Sequence, residues 1–473
     1  MKKNIKGIFI LFISITILIL SACKENKNID TKSPSIAKFV NFTDLHFNPF
    51  YDSLLVNTLN ESEVEIWDSI FNTNPDKIVS HYHEETNYYL LETALESMQK
   101  ELANPDFIIM TGDYICHDFG ENYSKYAQNN NQDDMHKFLL KTITYITQQM
   151  QKTFPNTLII PTFGNNDSYC GDYHLQNEGA FLYDFSKLYQ DILGSQLSDD
   201  EALNLEKHGY YSIKNPSNGS HKIIALNSIY FSFKYQTNDA PWNCDCNPSL
   251  TIQDSLAQQQ FQWLENHLAE SKANNEKVWI ITHIPPGVNV YKTMKNKEEK
   301  KASLFWKESY NKKYLSLLEE YSSEVFTTMT GHTHMDDFKL HISDSSKSYI
   351  HISPSISPIF GNNPAFQLIE YDIESADFIN FTKYNINIAE TQKASWEKEY
   401  NFKDIYHIST LDAEGYNNLF DALNTDSTYK SAYSLFYESG SKNGKEIIDN
   451  WNWYSCGISS TLPEVYENCI DKE

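Results

Sequence analysis

Five short apolar runs in this chain each end on the same kind of side chain. Residues 39–42 lead through Thr43 to Asp44-Leu45-His46. Residues 107–110 lead to Thr111-Gly112-Asp113, and residues 158–160 to Gly164-Asn165-Asn166-Asp167. Residues 278–281 lead to Thr282-His283, and residues 325–329 to Gly331-His332-Thr333-His334. Each run has strand length and is rich in β-branched or aromatic residues, and 223–226 is a sixth of the same kind. Helical spacings separate them: Leu91, Leu95, Met98 and Leu102; Leu139, Ile143, Ile146 and Met150; Ile252, Leu256, Leu264 and Leu268. Strands alternating with helices predict a layered α/β architecture. In such sheets ligands gather at the carboxyl ends of strands, so five loops are expected to build one site.

Taken singly, these motifs are ordinary. A Gly-Asp pair is commonly a turn, and a lone His is more often structural than a ligand. The ordered set is different. It supplies oxygen and imidazole ligands without redox liability, which suits two divalent cations about 3.5–4 Å apart. One carboxylate has to reach both ions, and Asp113, on a tight Gly-Asp turn, is placed to do so. Gly164 and Gly331 permit the sharp turns that precede Asn165 and His332.

The motif order resembles the calcineurin-like metallophosphoesterase superfamily. Residues 254–264, His283-Ile284-Pro285-Pro286-Gly287, 331–338, Ser353-Pro354-Ser355 and Asn363-Pro364-Ala365-Phe366 resemble its acid sphingomyelinase-like branch, as does the Cys456 and Cys469 pair. The likeness runs from about Phe39 to Tyr371 and more faintly to the end. Nothing resembles the saposin-type module of acid sphingomyelinase itself. The resemblance implies a β-sandwich flanked by helices, a mostly helical C-terminal extension, and two metals: Zn2+, with Mn2+ or Fe as alternatives. One ion would take Asp44, His46, Asp113 and His334, and the other Asp113, Asn165, His283 and His332. A hydroxide between them would attack phosphorus in a phosphodiester or phosphoanhydride. His117, four residues after Asp113, matches the family's proton donor to the leaving oxygen. Most members carry His after the motif Asn. Here Asn166 stands there, as in the endopolyphosphatases of this branch. It can hydrogen-bond a phosphoryl oxygen but cannot act as an acid, which loads that duty onto His117.

Other residues bound the reading. All 38 cationic Lys and Arg positions are Lys, so no Arg fork is available to grip phosphate. A net charge of −25 repels nucleic acid and weakens the polyphosphate alternative. Lys2, Lys3 and Lys6, the apolar run 8–20 and Leu20-Ser21-Ala22-Cys23 read as a bacterial lipoprotein signal over 1–22, with Cys23 lipidated. A tether over 23–35, a catalytic domain over 36–374 and an extension over 375–473 with few strand signals follow. The expected protein is a monomer in the cell envelope, held at the membrane by its anchor. Its substrate would be a nucleotide, a phospholipid head group or polyphosphate. The rival reading of another class is an inactive binding protein on the same scaffold. Export permits disulfides. Cys456 and Cys469 are placed to staple the C-terminus, and Cys116 and Cys170 to pair across the site. Cys244 and Cys246 are too close to bridge each other without strain. His81 and His83 read as surface residues, His174 and His208 as potential cleft lining, and Trp451, Trp453 and Tyr454 as packing.

Overall fold

The structure, a computed structural model, describes residues 35–74, 77–235, 250–389 and 395–472. The signal segment 1–22, Cys23, nearly all of the tether, Cys244 and Cys246 lie outside the described residues. Twelve strands are described: β1 (Ile36–Phe42), β2 (Phe107–Met110), β3 (Leu158–Pro161), β4 (Tyr211–Asn215), β5 (Asn218–Ala225), β6 (Val278–Ile281), β7 (Val325–Thr330), β8 (Asp337–Ile342), β9 (Lys347–Ile352), β10 (Ala365–Asp372), β11 (Phe378–Ile386) and β12 (Trp396–Asn401). They form two six-stranded mixed sheets, ordered β12-β11-β10-β1-β2-β3 and β4-β5-β6-β7-β9-β8. All six strands expected from the apolar runs are present. β2 and β6 are buried along their whole length, which is why they read as unbroken apolar runs.

The two sheets pack through aromatic side chains. The Trp279 ring of β6 lies 5.5 Å from Phe39 of β1, 5.0 Å from Tyr371 of β10 and 5.0 Å from Phe378 of β11. Its indole N–H donates to the Ala376 carbonyl at 2.9 Å, so the buried polar tip is satisfied. Truncating such a side chain costs about 3–5 kcal/mol. Helices Tyr88–Glu101 and Gln132–Thr153 contribute Leu91, Leu95, Leu139 and Ile143 to the core of the first sheet. Both begin at Asn caps: Asn87 accepts from the Leu90 amide and Asn131 from the Asp134 amide, each at 3.0 Å. Helices Leu250–Asn274 and Glu308–Glu320 cover the second sheet with Phe261, Leu264, Leu268, Tyr314 and Leu318. No helix among the described residues is long and apolar enough to cross a membrane.

The chain after residue 374 begins with strands rather than helices. β11 pairs antiparallel with β10, and β12 with β11, so both continue the first sheet. WEKEYN of β12 is rich in Lys and Glu, which disfavour strands locally, whereas FINFTKYNI of β11 carries Phe, Ile, Thr or Tyr at six of its nine positions. The exposed ladder of β10 supplies the hydrogen bonds that order them. The buried Lys383 of β11 then pairs with Asp336 at 2.7 Å and Glu399 at 3.0 Å. This ties the end of the Gly331–His334 turn to the added strands. The Cys456–Cys469 disulfide forms and joins helices Trp451–Ser459 and Pro463–Lys472.

Candidate active site

The five loops meet, and their backbones hold one another. The Asp44 amide donates to the Gly112 carbonyl at 3.1 Å and the His46 amide to the Asp113 carbonyl at 2.9 Å. The Gly331 amide donates to the His283 carbonyl at 2.9 Å. Asp44, His46, Asp113, His332 and His334 all have positive φ, between 43° and 70°. Five non-glycine residues in the left-handed region, all predicted ligands, mark a site whose backbone strain is offset by the sheets behind it. Gly164 is required here for space: a Cβ on it would fall inside the Asp113 carboxylate.

The predicted ligands form two clusters, Asp44 with His46 and His334, and Asp113 with His283 and His332. Asp113 Oδ2 lies between them, 3.4 Å from His46 Nε2 and 3.3 Å from His283 Nε2. Asp44 Oδ1 lies 3.2 Å from His334 Nε2. Asn165 Oδ1 lies 3.2 Å from His283 Nε2. Several of the remaining atoms of these side chains are already committed, although His334 Nδ1 has no hydrogen-bond partner. His46 Nδ1 donates to the Ile115 carbonyl and His283 Nδ1 to the Thr111 carbonyl, so each Nε2 presents its lone pair inward. Asp44 Oδ2 accepts from Thr43 Oγ1 and the His332 amide, both at 2.8 Å. Asn165 Nδ2 donates to Asp172 Oδ1 at 2.7 Å, which turns its carbonyl toward the cluster. Asp44 Oδ1, fully buried, has no hydrogen-bond partner. An orphaned buried carboxylate oxygen facing three imidazoles fits a cation-holding role.

The electrostatics agree. Burial would raise the Asp44 and Asp113 carboxyls, but the neighbouring imidazoles hold both well below the ordinary carboxylate range. Burial would lower His46 and His283, yet Asp113 and Asp44 bring each up to about 9. Burial and the charge on His283 pull His332 down to about 3. Both raised histidines are therefore protonated at pH 7 in the metal-free protein and must be neutral to ligate. Loading the pair is expected to release about two protons at pH 7, and metal affinity falls with each pH step below 9. Titration of metal-stripped protein in unbuffered solution measures this, and release near zero would mean that the imidazoles start neutral.

His117 Nδ1 donates to Glu85 Oε1 at 2.7 Å, and the same oxygen accepts from the His117 amide at 2.7 Å. The ring stacks on His46, with centroids 4.3 Å apart. Glu85 thus fixes the tautomer and leaves Nε2 to exchange a proton. Asn166 donates twice to the Asp113 carboxylate, from its amide to Oδ1 at 2.9 Å and from Nδ2 to Oδ2 at 3.0 Å. It braces Asp113. Asp167 accepts from the Asp113, Tyr114 and Gly164 amides at 2.8 Å each, locking the two turns together. Burial and the Asp113 charge push Asp167 up to about 7.

The site opens into a cleft of about 580 Å3. His117, Asn165 and His332 line it at the metal end, Tyr173, Tyr291, Phe305 and Phe360 supply aromatic walls, and Tyr437, Glu438 and Tyr454 come from the C-terminal helices. All seven predicted ligands and His117 are brought together. Other expectations are corrected. Cys116 is a free, buried thiol and Cys170 is disulfide-bonded, so the two do not pair across the site. His208 is held by Asn177 and Gln259 away from the main cleft, because both ring nitrogens already have partners. His174 lies in an adjoining pocket. His81 and His83 are exposed, as expected of surface residues, and His83 contacts the Ile359 carbonyl. Tyr454 packs and also lines the cleft. Sequence reasoning missed Glu85, Asp167 as a brace, Asp172 and Tyr173, whose hydroxyl meets His332 Nε2 at 3.3 Å.

A family model described as calcineurin-like phosphoesterase matches residues 37–336. The Mus musculus cyclic GMP-AMP phosphodiesterase SMPDL3A is 25% identical over 445 residues, covering 91% of this chain and 86% of that protein. The Dictyostelium discoideum sphingomyelinase phosphodiesterase D is 26% identical over 437 residues, covering 85% and 88%. The Homo sapiens acid sphingomyelinase-like phosphodiesterase 3b is 25% identical over 365 residues, covering 73% and 72%. With two ligand clusters sharing one carboxylate, and with a family match over most of the fold, this chain belongs to the calcineurin-like phosphoesterases and is a metal-dependent phosphoric ester hydrolase.

Proposed function

We propose that this hydrolase is a zinc-dependent phosphodiesterase for small substrates, nucleotides foremost, exported and anchored at the cell envelope through Cys23. The observation that carries the reading is the position of Asp113 Oδ2 between the two histidine clusters. When bound, two divalent cations supply the charge that braces a phosphoryl group and activates water. The protein does the rest. Asp44, His46, Asp113 and His334 are placed to hold one ion, and Asp113, Asn165, His283 and His332 the other. Asn166 and Asp167 keep Asp113 in position. His117 Nε2 hands a proton to the departing alkoxide oxygen, and Glu85 stabilises the ring as it exchanges that proton.

A cleft of about 580 Å3 with aromatic walls suits a molecule of nucleotide size, whose base can stack on a ring face. The net charge of −25 argues against a long polyanion. The names of the relatives, which include a cyclic dinucleotide phosphodiesterase and sphingomyelinase-type enzymes, agree with a phosphodiester substrate. The deciding experiment strips the protein of metal, restores Zn2+, Mn2+ or Co2+ separately, and measures bis(p-nitrophenyl) phosphate hydrolysis from about pH 5 to 8. Zn2+ is expected to restore the most activity, and silence with all three sinks the reading. Nucleoside phosphodiesters, sphingomyelin and polyphosphate then rank the substrates. Cys23→Ser is expected to move the chain from the membrane fraction to the soluble one, seen by fractionation.

A further inference from the structure

A second pocket, of about 190 Å3, adjoins the metal centre. It shares Asp172 with the main cleft, and its lining includes Asn166, whose amide holds the bridging Asp113. Asp118, Phe119 and Glu121 line it at the first turn of the helix Phe119–Tyr126. That turn receives no side-chain cap from Asp118, so its amide donors face the end where the pocket lies. His174 also lines the pocket. It is only 5% exposed, and its Nδ1 has no hydrogen-bond partner. Burial keeps this imidazole below its ordinary value, hence neutral at pH 7. A buried ring nitrogen without a partner is costly to leave so, and a ligand group would satisfy it.

The chemistry of the occupant follows by elimination. Three carboxylates and no lysine line the pocket among the described residues, which disfavours a phosphate. These carboxylates and His174 are too spread to enclose a bare metal ion, for they form none of the tight ligand groups found among the described residues. An organic ammonium only donates, and would leave the amides of the first turn without an acceptor. What remains is a neutral group that donates to carboxylates and accepts from amides at once, with an apolar face for Phe119. A ring bearing adjacent hydroxyls has that pattern. We propose that this pocket is a subsite for a hydroxyl-rich ring on one arm of the phosphodiester. As a substrate subsite it rests on the phosphodiesterase reading. The ring has two chemical sources, the ribose of a nucleotide and the polyol head group of a lipid.

Saturation-transfer NMR on the zinc-loaded full chain tests the pocket without relying on turnover, with uridine, 2′,3′-dideoxyuridine and myo-inositol as probes. At least one hydroxylated probe should bind, with the dideoxy compound weaker by about tenfold or more, because a site built for hydroxyls rejects an analogue lacking them. Glu121→Gln and His174→Gln should each weaken the hydroxylated probe while leaving bis(p-nitrophenyl) phosphate hydrolysis unchanged. Uridine alone binding points to nucleotides, and myo-inositol alone to lipid head groups. Binding of neither, or binding indifferent to both substitutions, overturns the subsite. An inactive protein that still binds the probes in this pattern overturns the phosphodiesterase reading instead.

Discussion

Asp113→Asn is expected to lower kcat/KM on bis(p-nitrophenyl) phosphate by about a thousandfold or more, with fewer than two metals retained per chain. A metal pair is worth several kcal/mol of charge stabilisation in the transition state, and each 1.36 kcal/mol is tenfold in rate. The substitution removes the one carboxylate placed between both clusters. It also disturbs the brace, because Asn166 donates to both oxygens of Asp113, and an amide at 113 keeps two hydrogen bonds only if the Asn166 side chain turns over to accept. Metal counting and steady-state kinetics on the zinc-loaded variant decide the matter. Two bound metals and activity within tenfold of the parent would remove the bridge from the mechanism.

The second large effect depends on the leaving group. His117→Ala should cost about 10²–10⁴-fold on esters of ordinary alcohols, the usual share of a positioned general acid. On p-nitrophenyl esters the loss should stay within about tenfold, because p-nitrophenolate departs without needing a proton. Glu85→Gln should follow the same pattern more weakly, since it alters the partner of His117 Nδ1 and not the proton donor itself. The comparison is made by measuring both substrate types on each variant at one metal loading. Equal losses on the two would show that His117 holds the site together instead of moving a proton.

The seven residues that form the two clusters were legible because each sits at the end of an apolar run, where strand periodicity and ligand-type chemistry coincide within a few residues. The groups that tune them carry no such local mark. Glu85 precedes the helix Tyr88–Glu101 and reaches His117 across 32 residues of sequence. Asp172 looks like a loop residue until Asn165 is seen donating to it. An Asn at 166 is able to hydrogen-bond a phosphoryl oxygen, yet its side chain turns back onto Asp113. β12 hid for a related reason: its Lys and Glu have little strand preference of their own, and the edge it completes is made by β11. FINFTKYNI of β11 does carry strand formers, diluted by Asn and Lys at three of its nine positions. The Cys116 and Cys170 pairing failed because nearness to the same motif is not the geometry a bridge requires.

The closing of the first sheet bears on how this enzyme can be cut down for study. β1, which delivers Asp44 and His46, is sandwiched between β2 and β10, and β10 lies beyond residue 336, where the family match stops. A fragment trimmed to the matched segment would strip one whole flank from the strand that feeds the metal centre. It would also expose an unpaired ladder to other chains. Such a fragment is a recipe for insoluble material, and the smallest useful version of this hydrolase has to run on at least through β12.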